Sequence, residues 1–597
     1  MGLEGANLLK LATFGLTNWF SIANAITIAE HVREAEVILS DARDYNPCAG
    51  SVRLSQLHED TTGVYEDDAQ PLIDCENPDD PLLDFKNLFA QVSETKHSCT
   101  YAHERIMKNT ELDSSKYLGK EGAKFEDSTF PVEEAILWKD YDAGKSRNLN
   151  YLQFYFDFGY FKWYTLEERG WTQENGYSLW GHEGVTPSDI TQGSLGNCWF
   201  MAGLAAIAEN SERLKSIFQV EELNDAGFYP IKMYPLGVPT TITVDDKLPV
   251  YKDKTLFAKI SPDKGVFGPL IEKAYAKMLG TYELLIGGFP PRAIYSLTGA
   301  PFVWIECDHA TEDELFEFAE QHDRDGAMMT GTSRYGSGRH FRTNSQGIAD
   351  YHAYTVLGAY TVNNVKLLKL RNPWAKEKFR GAYRDTDKVW NSVSQADKKR
   401  IGYKRSNDGV IFMLARDFLE NFNDLSVNFN VDDFKQSYFL KVDDQSKKTS
   451  KRKVCKNCSM HKLRVTNTST QTQTVYLTAS THASRSYPQV KCSEAADYKF
   501  GTYHYVFIYG KKMLVFVEGN VSYTPFEMEP GQQITVEMAF DWRRQGIKKD
   551  FSLVTWSDVE PLEITHLDET ESDHWPLLGE ESEASSVSSS QDLGVQK

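Results

Sequence analysis

A chain of 597 residues exceeds the usual span of one hydrophobic core and predicts two to four domains. Its 41% apolar and 25% charged residues are ordinary for a soluble globular protein, and a formal charge of −20 with no long basic stripe argues against nucleic-acid binding. The eight cysteines, at positions 48, 75, 99, 198, 307, 455, 458 and 492, are too sparse and uneven for a disulfide framework. They predict a reducing, cytoplasmic setting.

Residues 11–29 carry no charge and approach membrane-spanning length. Scattered Thr, Asn and Ser, with Leu8, Leu11, Gly15, Trp19, Ile22, Ile26 and Ala29 recurring at helical spacing, favour an amphipathic helix instead. Such a helix would pack on the protein, on a protein partner or peripherally on a membrane. Gly2 follows Met1, but Ala6 leaves the myristoylation pattern incomplete. A second helix is predicted through Val32–Arg43. Between Glu59 and Phe85 stand ten acidic residues, three prolines and no Lys or Arg, a block that repels itself. Residues 1–115 therefore read as a helical and partly disordered acidic region. Asp558–Lys597 holds eleven acids and one base, with serines after Glu583, and predicts a disordered acidic tail over 561–597.

Between these ends lies an aromatic-rich body of mixed helix and strand, 116–432, followed by an all-β segment, 433–560. Seven strands are predicted in the latter: Tyr438–Val442, Lys462–Thr466, Val475–Ala479, Tyr505–Ile508, Met513–Val517, Ile534–Phe540 and Phe551–Trp556. Their short lengths and turn-rich spacing suggest a β-sandwich. Tyr509-Gly510-Lys511-Lys512 would turn one hairpin, and Lys447–Lys462 would form a basic loop. Cys455 and Cys458 form a C-x-x-C with no second pair at zinc spacing, which favours free thiols. No twelve-residue EF-hand loop occurs in the sequence.

The chemistry concentrates in TQGSLGNCWFMAGLAAIAEN, residues 191–210. Two glycines and Asn197 precede Cys198, and an apolar helix follows. Asn197 near the N-cap would put the thiol on the first helical turn. The unsatisfied N–H groups and dipole there favour a thiolate, the species that attacks a carbonyl. A buried structural Cys at a glycine-rich turn would give the same pattern. A nucleophile needs a base and an orienting partner. His352 opens the β-prone run HAYTVLGAYTV, and after Asn363-Asn364 a second run, VKLLKLRNPW, reaches Asn372. The two runs predict a hairpin. With a two-residue loop, paired positions sum to 727, which puts His352 and Asn372 on opposite faces. A common face requires an odd loop or one β-bulge.

QGSLGNCW, the HAY strand and RNPW followed by FRGAY resemble the calpain family, in that order along the chain. FEDSTFP (125–131), EKAYAKMLGTYELLIGG (272–288) and DGVIFMLARDFLENFNDL (408–425) extend the resemblance over about 120–430. It implies an α+β fold, a papain-like two-subdomain core followed by the β-sandwich, with Cys198 in 116–290 and His352 and Asn372 in 291–432. It also implies an intracellular endopeptidase making limited cuts in protein substrates. Cys198 would attack, His352 would exchange its proton, and Asn372 would orient the imidazole under the shield of Trp374. Gln192 and the Cys198 N–H would hold the oxyanion. Asn197 stands where many calpains have Asp.

The resemblance further implies calcium as cofactor. Gly184 through its carbonyl, Asp189 and Glu283 match a first calcium site. Asp385 and Asp408 match a second, which Lys378 and Val410 weaken by replacing expected acids. Without EF-hands no small-subunit partner is expected. The stretch SRYGSGRHFRTNSQ, 333–346, just before His352, reads as a surface loop and as a mobile loop at the cleft, the two readings being compatible. The alternative function is a calpain-like scaffold that binds partners while its intact triad stays unassembled. Transglutaminase-type acyl transfer uses a similar Cys-His pair but does not fit the flanking motifs.

Overall fold

The computed structural model describes residues 112–132, 161–334, 343–442, 458–481, 503–508, 511–515, 520–522, 525–541 and 550–567. The helices predicted before residue 44, the acidic block, Cys455, the Tyr509-Gly510 turn and the tail beyond residue 567 lie outside them, as do the basic loop before residue 458 and residues 335–342. Two compact units emerge, one ending at Phe434 and the other beginning at Lys435.

In the first unit the buried helix α1, Cys198–Ile207, has no exposed face. Its glycine, Gly203, lets helix α3 approach, since a Cβ there would lie 3.1 Å from that of Ala293. Helix α2, Phe267–Leu279, is buried throughout despite carrying Glu272, Lys273 and Lys277, and α3 spans Pro290–Thr298. Both lysines find partners. Lys273 pairs with Asp245, and Lys277 lies 2.5 Å from Asp127. Deleting one member of such a buried pair strands the other charge, typically at about 3–5 kcal/mol. These pairs fasten the FEDSTFP segment and the Asp245 loop to α2.

Five short strands belong to this part: β1 (Phe161–Tyr164), β2 (Tyr229–Met233), β3 (Thr240–Val244), β4 (Leu248–Tyr251) and β5 (Lys254–Thr255). A six-stranded antiparallel sheet follows, in the order β10-β9-β8-β7-β11-β6. Its strands are β6 (Phe302–Glu306), β7 (Met328–Ser333), β8 (Ala353–Val362), β9 (Val365–Arg371), β10 (Val410–Leu414) and β11 (Phe422–Asn428). Helix α4, Glu312–Arg324, opens with a Thr311/Glu314 capping box.

Strands β8 and β9 form the predicted hairpin. Asn363 and Asn364 take φ of 50° and 61°, the left-handed pair of a two-residue type I′ turn. From the turn, Val362 faces Val365 and Gly358 faces Lys369, but Val356 then faces Leu370. The pairing sum falls from 727 to 726, so Leu357 is the extra residue of a β-bulge. The irregularity required by the sequence is present.

In the second unit all seven predicted strands are found: β12 (Lys435–Lys441), β13 (Cys458–Thr466), β14 (Gln473–Thr481), β15 (Tyr503–Ile508), β16 (Lys511–Val515), β19 (Gln533–Asp541) and β20 (Phe551–Ser557). Three shorter ones, β17 (Asn520–Ser522), β18 (Phe526–Met528) and β21 (Glu563–His566), complete it. One sheet runs β12-β20-β14-β17 with β18 also on β14, and the other runs β16-β15-β19-β13-β21. Leu463, Val465, Leu477, Val536, Phe540 and Leu553 are fully buried, as alternation on inner sheet faces requires. Sequence missed the three strands because each is only three or four residues long.

Candidate active site

Cys198 is the first residue of α1, and the loop leading to it is pinned from several sides. Ser194 N–H donates to Leu256 O (3.0 Å), Lys259 N–H to Thr191 O (3.0 Å) and Gly287 N–H to Gly196 O (3.0 Å). Gly193 is forced by contact, because a Cβ would lie 1.8 Å from Phe257 O. Gln192 N–H donates to Pro373 O at 2.9 Å, joining this loop to the turn after β9. Thr355 Oγ1 donates to Ala202 O at 2.9 Å, joining α1 to β8.

Asn197 occupies the N-cap, yet its side chain makes no cap bond. It turns inward and donates from Nδ2 to Glu272 Oε1 at 2.7 Å. The backbone N–H groups of Ala353, Trp199 and Cys198 lie close enough to the Cys198 sulfur to favour its thiolate. Burial nevertheless dominates and pushes the thiol up to about 11, with those N–H groups opposing. The thiolate-favouring environment expected at the helix end is thus overridden in the resting site, where Cys198 is only 8% exposed.

His352 immediately precedes β8 and Asn372 immediately follows β9. The Leu357 bulge brings them to one face, with His352 Nε2 2.8 Å from Asn372 Oδ1. An amide oxygen accepts, so Nε2 carries the proton and Nδ1 keeps its lone pair. Asn372 Oδ1 also accepts from Trp374 N–H at 3.0 Å. The Trp374 ring lies 4.2 Å from the imidazole, centroid to centroid, and Tyr354 meets it edge-on at 5.1 Å. The His352 backbone is held by Ser333, whose Oγ accepts from His352 N–H at 2.9 Å and donates to His352 O at 3.0 Å. His352 and Ala353 are consecutive, so an N–H that favours the thiolate adjoins the imidazole-bearing residue.

Gln192 is buried beside this group. Its Nε2 donates to Leu195 O at 2.7 Å, and its Oε1 has no hydrogen-bond partner. One of the two amide hydrogens is therefore already committed.

The expected calcium ligands are dispersed in role. Asp189 Oδ2 accepts from Thr186 N–H (2.7 Å) and Thr186 Oγ1 (2.8 Å), closing a one-turn capping box. Burial raises its pKa, and Asp263 adds to the effect. Gly184 has φ of 81°, and Glu283 is buried in a short 3-10 turn. Asp385 accepts from Ser406 N–H (2.9 Å), while Asp408 accepts from Ser406 Oγ (2.6 Å) and Val410 N–H (3.0 Å). Glu377 joins these two acids. Burial first, then the charge of Asp385, pushes it up to about 7. Lys378, in contrast, has its ammonium 5.6 Å from the Trp374 ring centroid. Among the described residues, no group of three or more His, Cys, Asp or Glu is placed to hold a metal ion.

Three residues escaped sequence reasoning. Ser333 looked like a loop residue, although it ends a β-prone run. Glu272 is an acid inside an apolar helix, a signal in itself. Arg371 is 1% exposed, donates from Nη2 to Ser188 O at 3.2 Å and feels both Asp408 and Asp189, while burial lowers it to about 10. No described helix is long and apolar enough to cross a membrane.

Comparison with known proteins matches residues 125–428 to the calpain family cysteine protease model. Mouse Calpain-9 is 30% identical over 252 residues, 41% of this chain and 36% of the relative. Rat Calpain-13 is 31% identical over 41% of this chain and 37% of its own length. The human Calpain-1 catalytic subunit is 28% identical over 332 residues, 52% of this chain and 44% of that protein. The matched segments thus span less than half of these relatives. A clostridial cysteine protease, Cwp84, covers 62% of this chain and 85% of its own at 11% identity, but its TM-score of 0.21 is too low to inform the fold. The family match runs through Cys198, His352 and Asn372 alike, and the chain belongs to the calpain family of cysteine proteases.

Proposed function

We propose that this chain is an endopeptidase that makes limited cuts in protein substrates with Cys198, His352 and Asn372. The observation that carries the reading is the Nε2–Asn372 bond of His352 at 2.8 Å, on the residue next to Ala353, whose N–H favours the Cys198 thiolate. It leaves Nδ1 of His352 as the basic nitrogen. His352 takes the thiol proton, and the Cys198 sulfur bonds to the scissile carbonyl carbon as the carbonyl π pair moves to oxygen. The oxyanion is held by the Cys198 N–H and the second Gln192 amide hydrogen. When the electron pair returns, the C–N bond breaks and His352 protonates the departing amine. Water, deprotonated by His352, then cleaves the thioester and restores the thiol. Trp374 covers the His352–Asn372 bond and keeps water from competing for it.

In this reading residues 116–290 and 291–432 act as the two halves of the cleft, in a cytoplasmic setting. Calcium is proposed as a regulator. The carbonyl of Gly184 with Asp189 and Glu283, and Asp385 with Asp408, are hard oxygen donors that suit the ion. When bound, calcium would supply positive charge that holds these loops in one arrangement. The second reading, a scaffold with a quiet triad, draws on the burial and raised pKa of Cys198.

Covalent trapping of Cys198 by an epoxide or iodoacetamide, with and without calcium, separates the two. Selective labelling relative to C198A, with peptide cleavage lost in that variant, supports the protease. Labelling no greater than in C198A under every condition would sink it.

A further inference from the structure

Glu272 lies on α2, yet its carboxylate reaches the segment that delivers Cys198. It is 2% exposed and accepts from Asn197 Nδ2 at 2.7 Å and from Ala258 N–H at 2.9 Å. An Asn at an N-cap ordinarily turns its Oδ1 onto the N–H of the second or third helical residue, here Trp199 or Phe200. In this helix that bond is missing, and Asn197 Oδ1 is buried without any partner. The backbone N–H groups of Trp199 and Cys198 instead favour the Cys198 thiolate. The orphaned oxygen costs free energy, so something must hold the amide away from its own helix. Glu272 is the group that does so.

We propose that Glu272 is a positioning residue that holds the Asn197 side chain off the helix end, so that its Oδ1 does not compete with the Cys198 sulfur and the oxyanion for the N–H groups at the start of α1. The inference rests on Cys198 being the nucleophile. The ionised carboxylate is the form that accepts both bonds at once. Burial pushes Glu272 up to about 7, while Ala258, Asn197 and the Lys259 ammonium lower it. Lys259 and Tyr282 are the titratable groups that face it. Protonation, or replacement by Gln, leaves one of its two donors without an acceptor and releases Asn197 to cap α1.

The test is the rate of iodoacetamide alkylation at Cys198 in the full chain, mapped by mass spectrometry between pH 5 and 9. E272Q is expected to lower the rate at neutral pH by about tenfold, the scale of one cap bond. It should also erase an inflection near pH 7 that the wild type shows. The double variant E272Q/N197A, which has no capping side chain, should regain most of the loss. If E272Q does not fold, E272D carries the same rate prediction, because it keeps the charge but falls a methylene short of Asn197. An unchanged rate and profile in a folded variant overturns the proposal, as does a double variant no faster than the single one. Absence of peptide cleavage by wild type, with these alkylation differences intact, would instead count against the protease reading alone.

Discussion

His352 and Asn372 flank a hairpin whose turn register would separate them, and they meet at 2.8 Å because Leu357 is bulged out of β8. One extra residue rotates the end of the strand through a full face. The catalytic reading of this chain therefore depends on a backbone irregularity five residues before the turn-flanking pair Val362–Val365.

Gly358, beside the bulge, has φ of 149°, and a Cβ there would lie 2.5 Å from Tyr360 Oη. G358A is expected to destabilise the chain by about 1–3 kcal/mol, the usual scale of backbone strain at such a position. Because relief of that strain shifts the register, proteolytic kcat should fall as well. Thermal unfolding read beside kcat checks both. A variant with wild-type stability and turnover would mean the bulge tolerates a side chain.

Asn372 Oδ1 receives two donors, His352 Nε2 and Trp374 N–H. N372A removes the acceptor that fixes the imidazole tautomer and leaves the ring to rotate. Turnover is expected to drop by roughly a hundredfold, the lower range for general acid–base catalysis, with KM little changed. A drop confined to KM would show that Asn372 serves binding rather than the imidazole.

Much of this was legible beforehand because local patterns agreed with the fold. Asn363-Asn364 between two β-prone runs specified the hairpin, and the parity of His352 and Asn372 demanded the bulge. The seven longer sandwich strands declared themselves by length and flanking turns. What stayed hidden depends on burial. Asn197 read as a cap from its position, but whether its amide bonds its own helix or Glu272 is decided by a residue 75 positions away. The thiol was expected to be acidic from the helix end alone, and enclosure outweighs that effect. Lys378 looked damaging to a cation site from its place in the pattern, yet its ammonium lies over Trp374 while Glu377 faces the acids.

Asp424 offers a stability test outside the site. It lies on β11 opposite Glu306 of β6 and Thr332 of β7 and is 4% exposed. Burial pushes it up to about 7, Ser426 and Thr332 lower it, and Glu306 raises it. The folded value exceeds the unfolded one, so the folded state binds the extra proton. Stability is then gained as pH falls from about 7 towards 4, and the penalty is full above 7. D424N should raise the melting temperature at pH 8 and flatten its dependence between pH 4 and 7, by at most about 4 kcal/mol. A fall in stability at pH 8 would mean the carboxylate is better solvated than its burial implies.

The proposed calcium response can be assigned to one loop or the other by substitution. Asp189 uses Oδ2 for the Thr186 cap, and burial together with Asp263 disfavours its charged form. Both effects would be relieved by a cation. Burial and Asp408 disfavour the charged form of Asp385 in the same way, but Val410 brings no oxygen-bearing side chain there and the Lys378 ammonium lies over Trp374 where an acid is expected. The first set is therefore expected to carry the response. In calcium titrations of Cys198 labelling, D189N should abolish the rise in rate, whereas D385N should leave at least part of it. Arg371, which feels Asp189 and Asp408 together, gives the two loops an electrostatic link that needs no metal. A wild-type labelling rate indifferent to calcium, with D189N equally indifferent, would transfer the closing role to that buried guanidinium. R371M should then slow labelling with or without the ion.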